Sequence, residues 1–166
     1  MLGHPPIAEP PFRCPDPMSG RREYPEVPRV GVGVVVLKDR QVLLVKRGAP
    51  PSQGKWSLPG GLVQLGETAE AAALREAEEE CGLNVRLLGV AGVVDRIIRD
   101  SEGRVRYHYV LIDYVATPEG GIARAGSDAA EARWVPLAEL GRYDTTDGLA
   151  AMVERAIRVS EGGIVP

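Results

Sequence analysis

The sequence has few cysteines and no long apolar run. Its 166 residues include two cysteines, Cys14 and Cys81, which are too few for a disulfide scaffold or a structural zinc cluster. We therefore expect a reduced, cytoplasmic setting. No apolar stretch approaches the roughly 18 residues that a transmembrane helix needs. The N-terminus also lacks the basic start and apolar core of a signal peptide, so we expect no association with a membrane.

Positive charge is not in excess either. The chain carries 20 Lys and Arg residues against 23 Asp and Glu residues, a formal net charge of −3. This balance argues against broad binding to polymeric nucleic acid, although a few arginines could still hold a nucleotide. With 44% hydrophobic and 26% charged residues, the composition is that of a globular protein, and the length suits one domain.

Proline is concentrated at one end of the chain. Eight of the 14 prolines lie within the first 30 residues, a density that blocks helices and central strands. We therefore predict a Pro-rich arm over residues 1–28, either docked on the body or free. The main domain is predicted over residues 29–160, and a short tail over residues 161–166.

The main domain contains both strand and helix patterns. β-Branched and apolar residues predict strands over 29–37, 41–47, 83–95 (with a bend near Gly89 or Gly92), 106–115 and 131–135. Helices are predicted over 67–81, ended by Gly82, and over 146–160. Residues 48–66 and 118–128 are predicted as loops. The expected fold class is α+β, with helices covering a sheet.

The first predicted helix is rich in glutamate, with six between residues 67 and 80. At about 100° per residue, Glu76, Glu79 and Glu80 share one arc of its surface. Like charges this close raise one another's pKa unless a cation compensates them, and Arg75 is placed to pair with Glu79 or Glu67. Hard oxygen ligands on a rigid element suit Mg²⁺ or Mn²⁺. The alternative is a solvated acidic face.

The loop before this helix is rich in glycine. Gly60 and Gly61 are adjacent, and glycine pairs allow a backbone carbonyl or amide to approach a metal or ligand. A Walker loop is excluded because Trp56, rather than Ser or Thr, follows Lys55. A dinucleotide fingerprint is excluded as well, because the glycines of the first strand lack a third glycine and a following helix.

Together, the loop and the helix resemble the signature of the Nudix hydrolases, G-x5-E-x7-R-E-U-x-E-E-x-G-U, where U is a bulky or apolar residue. The match runs from Gly61 to Leu83 and meets nine defined positions over 23 residues, with Ala77 smaller than the usual aliphatic residue. The segments 54–60 and 133–136 are also similar to the family. The resemblance covers roughly residues 30–158.

This resemblance implies a Nudix fold, an α/β/α sandwich with a mixed sheet between helices. It implies a hydrolase that cleaves a phosphoanhydride in a nucleoside diphosphate linked to another moiety, a small-molecule substrate, with Mg²⁺ or Mn²⁺ as the cofactor. Glu76 and Glu80 would then bind the metal, with the Gly60 carbonyl as a further ligand. Glu79 would be a ligand or would position the attacking water. The remaining box residues would be structural: Gly61, Glu67, Arg75 and Gly82.

The general base and the substrate contacts stay open. Glu76, Glu79 and the later Glu131 are candidate bases, with Asp128 beside Glu131; both later acids could instead belong to a polar turn. The candidate substrate-binding side chains are Arg47, Trp56, Arg96, Arg106 and His108. For the arginines the alternative is a solvated side chain, for Trp56 packing under the loop, and for His108 an ordinary strand position.

The overall sequence is also similar to bacterial ADP-ribose pyrophosphatases, which implies ADP-ribose or a similar nucleotide sugar as the substrate. However, Ile98 stands where such enzymes often have a proline, and Arg99 where dinucleoside polyphosphate hydrolases have a tyrosine. Hydrolysis of nucleoside triphosphates therefore stays open, as does a nucleotide sensor without turnover. Members of the ADP-ribose type often dimerise through N-terminal elements, so the arm implies a possible homodimer.

Overall fold

The computed structural model describes residues 22–126 and 129–162. Most of the predicted arm, most of the predicted tail and Asp128 lie outside the described residues. Seven strands belong to one sheet: β1 Arg29–Lys38, β2 Gln41–Arg47, β3 Trp56–Ser57, β4 Gly60–Leu62, β5 Leu83–Arg99, β6 Val105–Gly121 and β7 Ala129–Pro136. The helices are α1 Ala69–Cys81, a 3₁₀ helix Leu137–Arg142 and α2 Leu149–Ser160. No described helix is long and apolar enough to cross a membrane.

The sheet is mixed and has β1 at its centre. β1 pairs in parallel with β6 and antiparallel with β4, while β5 forms the edge beside β6. β2 pairs with both β3 and β7. β1 and β2 form a hairpin, whose turn residues Asp39 and Arg40 have φ angles of 47° and 59°, as a tight turn between twisted strands requires.

The two helices cover opposite faces of the sheet because side chains alternate along the strands. Val32, Val34 and Val36 of β1 pack in a cluster with the alanines of α1. Val35 packs in a second cluster with Met152 and its neighbours on α2. The predicted sandwich of a mixed sheet between helices is confirmed.

Helix α1 is positioned by both of its ends. The Thr68 side chain accepts a hydrogen bond from the Ala71 amide, and Gly82, with φ of 67°, donates to carbonyls of the last turn. Left-handed backbone of this kind favours glycine. The helix therefore begins at Ala69 rather than at the predicted Glu67, because Thr68 in extended conformation is the cap. Small buried residues allow close contact with the sheet: Ala72, Ala73, Ala77 and Cys81.

Several predicted boundaries are wrong for one shared reason, pairing with a partner strand. The predicted loop 48–66 contains β3 and β4, which are too short to show a periodic pattern. β5 and β6 pair with each other and so extend well beyond the predicted ends, to Arg99 and Gly121. The predicted bend in β5 is confirmed, because the register shifts beside both Gly89 and Gly92. The start of α2 is wrong for a different reason: the helix begins at Leu149 rather than at the predicted residue 146, because Gly148 before it has φ of 79°.

Candidate active site

One cavity of about 710 Å³ is lined by residues from both sides of the sheet. We define its acidic end by Gly60 and Gly61 of β4 together with Glu76 and Glu80 of α1. We define its Asp113 end by Leu58, Val94 of β5, Leu111 and Asp113 of β6, and Met152 of α2. All of these residues line the cavity. A volume of this size is within the range of small-molecule and cofactor sites.

The acidic end depends on close contact between β4 and α1. The Gly60 amide donates to Oε2 of Glu80 over 2.9 Å. A Cβ at Gly61 would overlap the Glu76 carboxylate, so only glycine leaves room for that side chain. Glu76 is 9% exposed. The glycine pair and the two carboxylates therefore meet as the sequence predicted.

Arg75 links the loop to the helix. Its guanidinium donates to both oxygens of Glu67, at 2.8 and 3.0 Å, and to the Leu62 carbonyl at 3.1 Å. Its Nη1 also donates to Glu76 and Glu79, at 2.7 and 3.1 Å. These bonds hold the pKa of Glu67 below its usual value and raise the pKa of Arg75. Arg75 is thus the compensating cation that the spacing of the glutamates requires.

The oxygen donors at the acidic end fit a hard divalent cation. Glu76 and Glu80 supply carboxylate oxygens beside Gly60 in the cavity lining, and Mg²⁺ binds through one or two carboxylates while keeping waters and substrate phosphates. Within residues 22–126 and 129–162, no group of three or more His, Cys, Asp and Glu side chains is gathered to hold a metal. The predicted third carboxylate, Glu79, is exposed and bonded to Arg75. Two of the three predicted carboxylates, Glu76 and Glu80, therefore line the described part of the cavity.

The Asp113 end was not predicted from the sequence. Asp113 is 7% exposed, and burial raises its pKa to about 6, with Arg96 acting in the opposite direction. Ser57 also lines the cavity, and its hydroxyl is buried with no hydrogen-bond partner in the described part of the chain. The available signal was an acid inside the mainly apolar run of residues 110–116 in β6.

Two of the predicted substrate-binding cations line the cavity. Arg47 donates from Nε to the Pro51 carbonyl over 2.8 Å, and its burial lowers its pKa while Glu80 acts in the opposite direction. Arg96 donates to the Asp147 carbonyl over 3.0 Å at the start of α2. Both are therefore available to a ligand in the cavity.

Arg106 and His108 are not among the described residues that line the cavity. Arg106 pairs with Glu23 at 2.7 Å. His108 alternates with Tyr109 along β6, and Tyr109 is the residue that lines the cavity, so His108 points to the other face. The structure therefore does not bring these two predicted contacts to the site.

Trp56 and Glu131 are also absent from the described lining. Trp56 is buried in the cluster beneath α2, where its ring meets Tyr143 edge to face at 5.5 Å. Packing, the alternative for Trp56, is what the structure shows. Glu131 forms an ion pair with Arg133 on β7.

Comparison with known proteins agrees with this geometry. The sequence matches the family model of the NUDIX domain over residues 27–156. The chain belongs to the Nudix family. A crystal structure of a MutT NUDIX hydrolase from Burkholderia pseudomallei superposes on this Nudix chain with a TM-score of 0.69 and 34% identity, covering 78% of this chain and 98% of that one. The expected fold is thereby confirmed.

Two curated relatives carry different activities in their names. An ADP-ribose pyrophosphatase of Methanocaldococcus jannaschii is 39% identical over 113 residues, which is 68% of this chain and 64% of the relative. A putative 8-oxo-dGTP diphosphatase of Bacillus subtilis is 39% identical over 107 residues, which is 63% of this chain and 64% of the relative. The Nudix chain thus spans less than two thirds of the length of these relatives.

Proposed function

We propose that this Nudix chain is a pyrophosphohydrolase that requires a divalent cation, Mg²⁺ or Mn²⁺, and that its substrate is ADP-ribose or a similar nucleotide sugar. The observation that carries the proposal is the meeting of Glu76, Glu80 and Gly60 at one end of the cavity. A bound cation would neutralise the diphosphate and lower the pKa of a coordinated water. The side chains of the cavity would hold this cation and orient the substrate.

Each residue has a role that follows from its position. Glu76 and Glu80 would hold the cation, and Arg75 keeps Glu76 in place through its hydrogen bond. Arg47 would pair with a phosphate oxygen, because its guanidinium lines the cavity near Glu80. Water attacks phosphorus, and the bridging P–O bond breaks. ADP-ribose would therefore give AMP and ribose 5-phosphate.

The general base belongs to the proposal as well. Of the three predicted candidates, Glu76 lines the cavity, whereas Glu79 and Glu131 are not part of its described lining. Glu79 lies one helical turn from Glu76 and shares Arg75 with it. A carboxylate must come within hydrogen-bond reach of the water to act as base, so Glu76 is the better placed of the three.

The substrate preference rests on the relatives. Similarity to the ADP-ribose pyrophosphatase of M. jannaschii favours ADP-ribose as the substrate of this chain. The putative 8-oxo-dGTP diphosphatase of B. subtilis, at the same identity, favours a nucleoside triphosphate as the second candidate. A nucleotide sensor without turnover is the remaining alternative, and it is disfavoured because Glu76 and Glu80 are both present at the cavity.

Product analysis by chromatography tests the proposal. The purified chain would be incubated with ADP-ribose and, separately, with a panel of nucleoside triphosphates, in Mg²⁺ or in EDTA. We expect AMP and ribose 5-phosphate from ADP-ribose in Mg²⁺, and no product in EDTA. Release of pyrophosphate from a triphosphate, with ADP-ribose intact, would favour the second candidate. Binding without any product would favour the sensor.

A further inference from the structure

Asp113 is a buried carboxylate that the described chain leaves without a hydrogen-bond donor. It is 7% exposed, it lines the cavity, and Arg96 is the charge that partly compensates it, without an ion pair between the two side chains in the described residues. Burying a charge without a partner is costly. A group that persists in this state is therefore a candidate for contact with a ligand.

The strands on both sides of Asp113 leave it room. Its register partners are Gly33 on β1 and Gly92 on β5. A Cβ at Gly33 would overlap the carboxylate. Val115, two residues along the same strand, packs in the cluster beneath α2, so Asp113 points toward α2 as well. The carboxylate thus faces the part of the cavity that lies away from α1.

The surroundings of Asp113 indicate which part of a nucleotide would reach it. Leu58, Val94, Leu111 and Met152 make this end of the cavity apolar. The polar groups at this end are Asp113, the Ser57 hydroxyl and Arg96. A largely apolar wall with few polar groups suits a flat heterocycle with a polar edge, whereas a sugar carries hydroxyls around its ring. The negative charge of Asp113 also disfavours a phosphate. The uncharged base is therefore the part of the substrate that matches this end.

We propose that Asp113 determines specificity for the nucleobase by accepting a hydrogen bond from the exocyclic amino group of adenine. This inference rests on the proposed function, because it takes a nucleotide with its diphosphate at the acidic end. A carboxylate accepts from an amino group, and it repels the carbonyl oxygen that replaces this group in hypoxanthine. Asp113 would thus select ADP-ribose over the hypoxanthine counterpart.

Calorimetric binding tests this on a Glu80→Gln background, in which hydrolysis is expected to be strongly slowed. Dissociation constants would be measured, with Mg²⁺ present, for ADP-ribose and for inosine diphosphate ribose. The variants are Asp113→Asn and the control Asp95→Asn, an exposed acid on the adjacent strand. In the chain that keeps Asp113, we expect the dissociation constant for ADP-ribose to be roughly 10- to 100-fold lower than that for inosine diphosphate ribose, which is the size of a charge-assisted hydrogen bond. Asp113→Asn should bring this ratio near one.

Each other outcome overturns the assignment. An equal loss of both ligands in Asp113→Asn would place a sugar hydroxyl, common to the two, against the carboxylate. A preference for the hypoxanthine ligand, or an unchanged ratio, would exclude the amino group as the partner. Failure of the proposed function is separable. If the chain binds ADP-ribose through Asp113 but releases no product, the role of Asp113 in base selection stands and the proposed hydrolase activity is wrong.

Discussion

The two ends of the cavity hold their carboxylates in opposite ways. At the acidic end, Glu76 accepts a hydrogen bond from Arg75, and Glu80 accepts one from the Gly60 amide. At the Asp113 end, the carboxylate is buried and accepts none from the described residues. The acidic end is therefore organised by the chain itself, whereas Asp113 is left to a proton or a ligand.

This difference separates chemistry from recognition. Carboxylates that must hold a cation benefit from fixed positions, which Arg75 and the Gly60 amide provide before anything binds. A carboxylate that must distinguish one base from another benefits from having no donor within the protein. A ligand that cannot donate to it then leaves a buried acceptor unpaired, which lowers the affinity for that ligand.

The largest effect is expected at the acidic end, from Glu80→Gln. This change removes a cation-facing charge at nearly constant shape. We expect kcat/KM with Mg²⁺ to fall on the order of 100- to 1000-fold, the range for loss of one electrostatic stabiliser. Circular dichroism should be unchanged. The matched control is Glu78→Gln on the exposed side of α1, and activity of Glu80→Gln within threefold of the native chain would contradict the metal assignment.

Gly61→Ala is expected to have the next largest effect. Its new methyl group would overlap the Glu76 carboxylate, so the side chain must move away from the cavity. Displacement of a reacting group by about 1 Å lowers the rate about 100-fold. Gly141→Ala is the control, because a Cβ there meets no atom within 4 Å. Equal steady-state rates for the two variants would show that the position of Glu76 is unimportant.

The sequence predicted the acidic end far better than the Asp113 end. Gly61, Glu67, Arg75 and Glu76 lie on a contiguous loop and helix, and helical spacing alone places Arg75 beside Glu79. The Thr68 cap and the Gly82 terminus are equally local. Local rules sufficed because this part of the site is built from one stretch of chain.

The Asp113 end could not be predicted because its parts meet only through the sheet. Gly33, Gly92 and Asp113 become neighbours through the pairing of β1, β6 and β5, and no spacing in the sequence reports that register. The same limitation explains why Trp56 and His108 were predicted as substrate contacts although they do not line the described cavity. Their residue types suit a ligand, but the direction of a side chain depends on which face of a strand is covered.

The stability of the chain should depend on pH through Asp113. Its pKa in the fold is about 6, above the ordinary 3.8, so the fold favours the protonated form. This contribution to stability is fully present below pH 3.8 and is lost as the pH rises through about 6. It amounts to about 3 kcal/mol at most.

Urea unfolding between pH 4 and pH 7.5 measures this effect. The stability difference between the native chain and Asp113→Asn should shift by up to about 3 kcal/mol over that interval, with the native chain gaining as the pH falls. Asp95→Asn, the exposed counterpart on β5, should show no such shift. Parallel curves for the native chain and Asp113→Asn would mean that the carboxylate is already compensated.

The smallest effect is expected from the arginines, and it tests which of them reach the cavity. Arg47 lines the cavity, so Arg47→Gln should raise KM and lower kcat/KM about tenfold through loss of one charge-assisted bond to phosphate. Arg106 instead pairs with Glu23 at the surface, and Arg106→Gln should stay within about twofold, since an exposed ion pair contributes little. Steady-state kinetics on both variants decides the point. A larger loss from Arg106→Gln would mean that the ligand extends beyond the acidic and Asp113 ends, onto the β5–β6 hairpin.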